Sequence, residues 1–295
     1  MLVTFDIGGS RIRAARALAP DDLEPLGEAP MPQAFAGFVA ALMGLLPAGA
    51  RSVAISIAGV VDPEDGRITA ANLPAVTGRR LAADLEAALG RPVWIGNDAD
   101  CFVLTEALRG AGRGHRNVFG IILGSGVGGG LVLDGRLVAG AGGFAGEWGH
   151  GTVLNERPLG RDVPHLGCGC GLRGCVDTVG GARGIERLHR HLSGSEASSR
   201  EILSAWRAGE MAAAVTVETW LDLVAGPLAL VLNVVGASVV PAGGGLASDR
   251  ALVASLDGAV RQRLLRRTAS PLVVPAAHPE PGLVGAALAG WQAFG

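Results

Sequence analysis

The chain has 295 residues, enough for one or two domains with a substantial core. All 25 basic residues are arginine, and lysine and tyrosine are both absent. That excludes a Walker-A loop, a protein-kinase strand lysine and Schiff-base catalysis, each of which needs an amine side chain, while a formal net charge of -2 argues against a nucleic-acid partner.

The chain opens on a predicted strand, LVTFD, a glycine turn, IGGS, and a second strand, RIRAARAL. The first residues lead straight into the strand, so no signal peptide is expected. A helix over QAFAGFVAALMGLL, a strand SVAISIAG and a turn-rich loop from Val61 to Gly78 follow. Then come a helix over LAADLEAALG, a short strand PVWIG, and a helix from about Asn97, whose Asn and Asp can cap its first turn. Near residue 117 the pattern restarts: strand VFGIILG, turn SGVGGG, strand GLVLD, the hairpin pair Asp134-Gly135 and strand RLVAG. Each half thus begins with strand, glycine turn, strand, and continues with helices and strands, which predicts two related α/β lobes sharing a hinge and a cleft. A helix is expected from Asp177 to His191 and a loop over residues 193 to 199. The long apolar stretch to Val235 carries Glu218, Asp222 and Pro227 and reads as a buried helix kinked near the proline, not a membrane span. Strand SVVP, turn PAGGGLAS, helix ALVASLDGAVRQRLL, strand PLVVP and helix LVGAALAGWQ close the chain.

Three of the four cysteines fall within eight residues, in CGCGLRGC, and a histidine stands shortly before them in GEWGHG. His150, Cys168, Cys170 and Cys175 form a closed set of soft ligands for one tetrahedral zinc, which marks a structural rather than a hydrolytic site. Glycines 167, 169, 171 and 174 give the backbone the freedom to turn three sulfurs inward. Free or disulfide-bonded cysteines are the alternative, but cysteines one residue apart are poorly placed to bridge. Cys101, inside an apolar helical pattern, reads as core. With the thiols explained by metal, the expected compartment is the cytoplasm.

GSGVGG formally matches G-x-G-x-x-G, yet a dinucleotide fold needs a helix after its glycines and here a strand follows. What remains is a hairpin turn whose bare backbone N–H groups can meet phosphate. Two such turns, one with Gly8, Gly9, Ser10 and Arg11, the other with Ser125, Gly126, Val127 and Gly128, could hold a nucleoside triphosphate from two sides. Asp6 beside the first is suited to order the hydration shell of a magnesium ion, or is simply a turn-initiating residue.

DIGGS, GNDAD, LGSGVGGG, GEWGH, CGCGLRGC and PAGGGL, in that order and nearly end to end, resemble the ROK sugar kinases, a bacterial branch of the actin-like ATPase superfamily. Within the family, EDGRITAANLPAVTGRRLAADL followed by NDADCF is most similar to the N-acetyl-D-glucosamine kinases, whereas GEWGH is shared with fructokinases. The resemblance implies a two-lobed actin-like ATPase (ribonuclease H-like) α/β fold with a zinc loop. Its lobes would span residues 1–112 and 113–281, with the closing helix, 282–295, packed back on the first. It also implies a cytoplasmic homodimer that binds no nucleic acid or membrane and uses ATP with magnesium, beside a structural zinc, to phosphorylate the 6-hydroxyl of a hexose or N-acetylhexosamine. Asp98 occupies the position of the family's catalytic base; a plain N-cap is its other reading. Asn97, Asp98, Glu147, His150 and Asp177 are then expected at the sugar, with Asn72 and Thr77, beside Ala70, Ala71 and Ala75, forming a recess for a 2-acetamido group. Gly244 and Gly245 join the nucleotide set.

Two positions depart from the family pattern: Asp177 stands where Glu is usual, and Arg11, after Ser10, where Lys is usual. Glucokinase and fructokinase are the alternatives within the family. A non-catalytic sugar sensor or regulator would carry a helix-turn-helix ahead of DIGGS, for which residues 1–5 leave no room, and a zinc interaction module would leave both glycine turns unexplained.

Overall fold

The computed structural model describes residues 1–20, 22–70 and 73–295. Two compact units result, unit 1 from Met1–Arg113, Arg136–Ala145 and His278–Gly295, unit 2 from Gly114–Gly135 and Gly146–Ala277. The sequence suggested one cut near residue 112 and a returning C-terminal helix; the segment Arg136–Ala145, just after the Asp134-Gly135 turn, also belongs to unit 1.

In unit 1, β1 (Leu2–Ile7), β2 (Arg11–Ala19) and β3 (Asp22–Pro30) form an antiparallel meander; β4 (Ser52–Ile57) and then β7 (Val93–Asn97) add in parallel to β1, giving the order β3-β2-β1-β4-β7. β4 is buried along its whole length, as a parallel strand covered on both faces must be, and so reads as an unbroken apolar run. β3 was not expected from the sequence. Its DLEPLGEAP carries two prolines and three acids, tolerable only because it is an exposed edge, where a missing N–H costs no ladder bond. Helices α1 (Phe35–Leu45), α2 (Leu81–Leu89) and α3 (Asp98–Arg109) and the two-residue strands β5 (Val60–Val61) and β6 (Ile68–Thr69) complete this part.

Unit 2 repeats the plan. β8 (Val118–Leu123) and β9 (Val127–Leu133) are antiparallel, β11 (Val240–Gly243) and β12 (Val273–Pro275) add in parallel to β8, and with β10 (Arg136–Leu137) the sheet has the order β10-β9-β8-β11-β12. Two five-stranded sheets of the same order, each with an antiparallel hairpin beside two parallel strands, are the ribonuclease H-like duplication of the actin-like ATPase fold. The helix expected over 177–191 is broken at Gly181, whose φ of -88° and ψ of -178° are extended, into α4 (Asp177–Gly180) and α5 (Ala182–Ser193). An unforeseen helix, α6 (Ser199–Arg207), starts from a capping box in which Ser198 and Glu201 satisfy each other's backbone N–H groups. α7 (Met211–Val235) runs on through Pro227. It is long and apolar enough to cross a membrane, but 56% of its most apolar window is buried within the chain, with Trp220, Leu223, Val224 and Leu228 inside. α8 (Arg250–Arg261) follows, N-capped by Asp249.

The C-terminal helix α9 (Pro281–Phe294) packs on β1, β4 and α3 and is buried from Gly282 to Gly290. Any side chain at Gly285 would collide with the Cys101 backbone, and Thr105 Oγ1 donates to Pro281 O at 2.7 Å. Glu106 is fully buried and accepts 2.8 Å bonds from the N–H groups of Ala111 and His278, so one carboxylate ties the end of α3 to the approach to α9. Cys101 lies in the core beside Ala286 and Ala287.

Candidate functional site

The metal-ligating atoms of His150, Cys168, Cys170 and Cys175 all lie within 4.8 Å of one another. Cys170 and Cys175 sulfurs are 3.7 Å apart, and Cys168 Sγ is 3.6 Å from His150 Nδ1. Tetrahedral zinc with bonds of about 2.3 Å to sulfur separates its ligands by about 3.8 Å, so the four residues fit the ion as they stand. Of the four glycines expected to shape the loop, Gly171 and Gly174 use left-handed backbone, with φ of 91° and 72°. Gly174 is doubly constrained, since a Cβ there would stand 2.7 Å from the His165 ring. Partial burial pushes the Cys168 thiol up to about 12, while the Leu172 backbone N–H brings the exposed Cys170 thiol down to about 7.

GEWGH is fixed to the β8–β9 hairpin by its tryptophan. Trp148 is buried edge-on to Phe119 and donates its indole N–H to Gly128 O at 2.9 Å. Its neighbours Glu147 and His150 are thereby held half-exposed, with Glu147 Oε2 3.6 Å from His150 Nε2. Burial pushes the Glu147 carboxyl up, partly offset by the nearby imidazole. Asp177, at the head of α4, donates its backbone N–H to Gly149 O at 2.9 Å, accepts from Val127 N at 2.8 Å through Oδ1, and sets Oδ2 3.8 Å from Cys168 Sγ.

The hairpin turn itself is Gly124-Ser125-Gly126, closed by Gly124 N donating to Gly126 O at 3.0 Å. Val127 and Gly128, expected to meet nucleotide, lie in β9, where the Val127 N–H and the Gly128 carbonyl are engaged by Asp177 and Trp148. Gly124, Ser125 and Gly245 line one cavity of about 980 Å³, together with Arg200 and Arg207 of α6 and Asp249 and Arg250 at the start of α8. Gly244, at φ 90°, brings the PAGGGL turn onto the hairpin so closely that a Cβ would lie 2.5 Å from Leu123 O. Arg207 forms an ion pair with Asp249, fixing α6 against the cap of α8.

In unit 1 the β1–β2 turn holds Gly8, Gly9, Ser10 and Arg11, with Gly8 N donating to Arg11 O at 3.0 Å and Arg11 paired with Glu28 at 3.1 Å. Asp6, at the end of β1, is ion-paired with Arg13 and lies against the first turn of α9, where a Cβ on Gly282 would come within 2.5 Å of its Oδ1. Asn97 caps α3, its Oδ1 accepting from Ala99 N and Asp100 N at 2.6 and 3.3 Å, and Asp98 Oδ1 accepts from Ala99 N at 2.9 Å. The acetamido recess changes in character: Ala70 and Ala75 are buried in the unit 1 core, and exposed Thr77 accepts from Ala70 N at 3.0 Å. Asn72 and Ala71 lie outside the described residues.

Residues 19–291 match the ROK family. The chain belongs to the ROK family. Among its ROK relatives, the N-acetyl-D-glucosamine kinase of Salmonella heidelberg (strain SL476) is 35% identical over 291 residues, 96% of each chain. The solved structure of the ROK hexokinase from Thermus thermophilus superposes with a TM-score of 0.85 at 30% identity, over 99% of this chain and 98% of that one. The ROK glucokinase of Streptomyces griseus, in complex with glucose and AMPPNP, does so at 0.79 and 26%, over 99% of both. Sequence reading of this ROK chain did not find Trp148, Arg200, Arg207, Asp249 or Arg250. The tryptophan inside GEWGH was the available signal for the first; Arg200 and Arg207 lie on α6 and Asp249 and Arg250 at the start of α8, two stretches no sequence motif joins.

Proposed function

We propose that the protein is a cytoplasmic, ATP-dependent sugar kinase that phosphorylates the 6-hydroxyl of N-acetyl-D-glucosamine. The observation that carries this is end-to-end similarity to the Salmonella N-acetyl-D-glucosamine kinase, 96% of each chain, with Asn97-Asp98 at the head of α3 and the Glu147–His150 pair beside the cysteine cluster.

Phosphoryl transfer asks for positioning, charge neutralisation and a proton acceptor, with no covalent intermediate. Asp98 is the acceptor: its carboxylate takes the proton of the 6-hydroxyl as the oxygen attacks the γ-phosphorus, and the β–γ bridging oxygen leaves with the electron pair. Because the Asn97 Oδ1 is occupied by two backbone N–H groups, its amide N–H₂ is the end offered to a sugar hydroxyl. Glu147 accepts from a second hydroxyl, and His150 turns Nε2 to the same side. Thr77 and Asn72 are assigned to the acetamido group. The cavity bounded by Ser125, Gly245, Arg200, Arg207 and Arg250 takes the nucleotide. Asp6, at the end of β1, would hold the water shell of a magnesium ion bound with ATP, and that ion would supply charge neutralisation to the phosphates. His150 and the three cysteines would hold a structural zinc, which would supply rigidity to the Glu147 loop and no contact with substrate.

The test is a side-by-side comparison of kcat/KM for N-acetylglucosamine, glucose and fructose. A site built to hydrogen-bond an acetamido carbonyl rejects sugars that lack it far more strongly than a merely roomy one. N-acetylglucosamine is expected first, glucose weaker and fructose weakest. Glucose or fructose in front would move the assignment to a glucokinase or fructokinase.

A further inference from the structure

The carboxylate of Asp177, a residue of the sugar set, is engaged by the hairpin on which the nucleotide reading rests. Its Oδ1 accepts from Val127 N, the residue that ends the Gly124-Ser125-Gly126 turn, at 2.8 Å. A side chain at Gly126 would collide with that oxygen. The turn is gripped on its other side by the same short stretch of chain: Ala182 N donates to Gly124 O at 2.8 Å, and a Cβ on Gly181 would lie 2.6 Å from Gly126 Cα. Asp177 is also tied to the cysteine cluster twice: it follows the ligand Cys175 by two residues, and its N–H bonds Gly149 O beside the ligand His150.

We propose that Asp177 is a positioning residue that links the cysteine–histidine loop to the phosphate turn, so that zinc occupancy and nucleotide affinity are coupled through it. This rests on reading the β8–β9 turn as part of the nucleotide site. The carboxylate is a charge-assisted acceptor that sets the orientation of the strand leaving the turn. When the four ligands close on zinc, α4 is anchored from both ends, and Val127 with it. Coupling of this kind is reciprocal: whatever factor zinc contributes to nucleotide affinity, nucleotide contributes to zinc affinity. The usual glutamate would carry its carboxylate one methylene further, into the space next to Gly126, and could not make the same bond without moving the turn. The shorter residue is therefore matched to the turn, not a weakened sugar ligand.

The experiment compares zinc-loaded wild type with Asp177→Asn, Asp177→Glu and Asp177→Ala. ADP affinity is read by calorimetry, the KM for sugar and ATP separately, and zinc transfer to a colorimetric chelator with and without ADP. The Asn variant retains an oxygen acceptor without its charge and should fall between wild type and the Ala variant in ADP affinity. The Glu and Ala variants should lose about 10-fold in ADP affinity, the scale of a hydrogen bond to a charged group, with sugar KM little changed. ADP should slow zinc transfer from wild type and from the Asn variant, and not from the Ala variant. Wild-type ADP affinity in both the Glu and Ala variants, or a loss confined to sugar KM, would overturn the proposal. If the Ala variant does not fold, the Glu variant and the wild-type zinc transfer decide it. Failure of wild type to bind ADP at all would instead remove the reading of the turn on which the proposal stands.

Discussion

Glu147 Oε2 lies 3.6 Å from His150 Nε2, while the other nitrogen of the same ring, Nδ1, is 3.6 Å from Cys168 Sγ. One imidazole therefore has its two nitrogens divided between the cysteine cluster and a half-buried carboxylate. A carboxylate on the far nitrogen of a metal-bound histidine fixes the tautomer and raises its basicity, typically a 10- to 100-fold effect on metal affinity.

Glu147→Ala should accordingly weaken zinc retention by about 10- to 100-fold and raise the KM for sugar, with Glu147→Gln between it and wild type. Competition with a chelator of known affinity measures the first effect and steady-state kinetics the second. Unchanged zinc affinity in the Ala variant would show that the two side chains are neighbours only.

The purified protein should contain one zinc per chain, and Cys170→Ser should lose it. Structural zinc contributes on the order of 10 kcal/mol in isolated peptides, although here the loop is one part of a unit with a buried core of its own and global folding should survive. The signature is a drop in bound metal with new proteolytic cleavage between Gly151 and Cys175. Wild-type metal content in the variant would exclude Cys170 as a ligand.

Asp98→Asn should lower kcat by about 100-fold or more while leaving sugar KM within a few-fold, since a base acts in the transition state. The substitution is gentle on the fold: Asn retains the oxygen that accepts from Ala99 N, and Asn97 still caps α3. Near-normal turnover would reduce Asp98 to part of the helix cap.

Gly244→Ala should hurt nucleotide binding specifically. The residue sits at φ 90° with a Cβ position 2.5 Å from Leu123 O. Left-handed backbone costs a non-glycine residue about 1–2 kcal/mol, and the contact pushes the PAGGGL turn off the hairpin. A fall in Tm of about 2 to 8 °C and a raised KM for ATP, with sugar KM unchanged, are expected. Equal losses for both substrates would point to general damage.

The parts legible in the sequence were those whose cause is local. An apolar run ending in glycines announces a strand and its hairpin, so β1–β2 and β8–β9 could be read directly. Four soft ligands within 26 residues announce a metal site. What could not be read depends on partners far along the chain. β3 exists because β2 offers it an edge, not because DLEPLGEAP favours extension. The bond from Val127 to Asp177 spans 50 residues, and a short acid after a cysteine gives no hint of it. In the glycine-rich loop, the conformational freedom expected of its four glycines is used in left-handed φ at Gly171 and Gly174. The cavity proposed for the nucleotide was half legible, its glycines plain and its arginines hidden on α6 and α8.

The placement of α9 bears on how the protein is made. Chains emerge from the ribosome N-terminus first, and domains tend to fold as their residues appear. Unit 2 has all its residues once Ala277 is out, whereas unit 1, though most of it lies before unit 2 in the chain, still lacks the helix that covers β1, β4 and α3. The first half of the chain is thus the last to mature. Until Pro281–Phe294 docks, it presents apolar strands to the cell, and a nonsense mutation or a bulky C-terminal fusion would strike the N-terminal unit and not the one it adjoins in sequence.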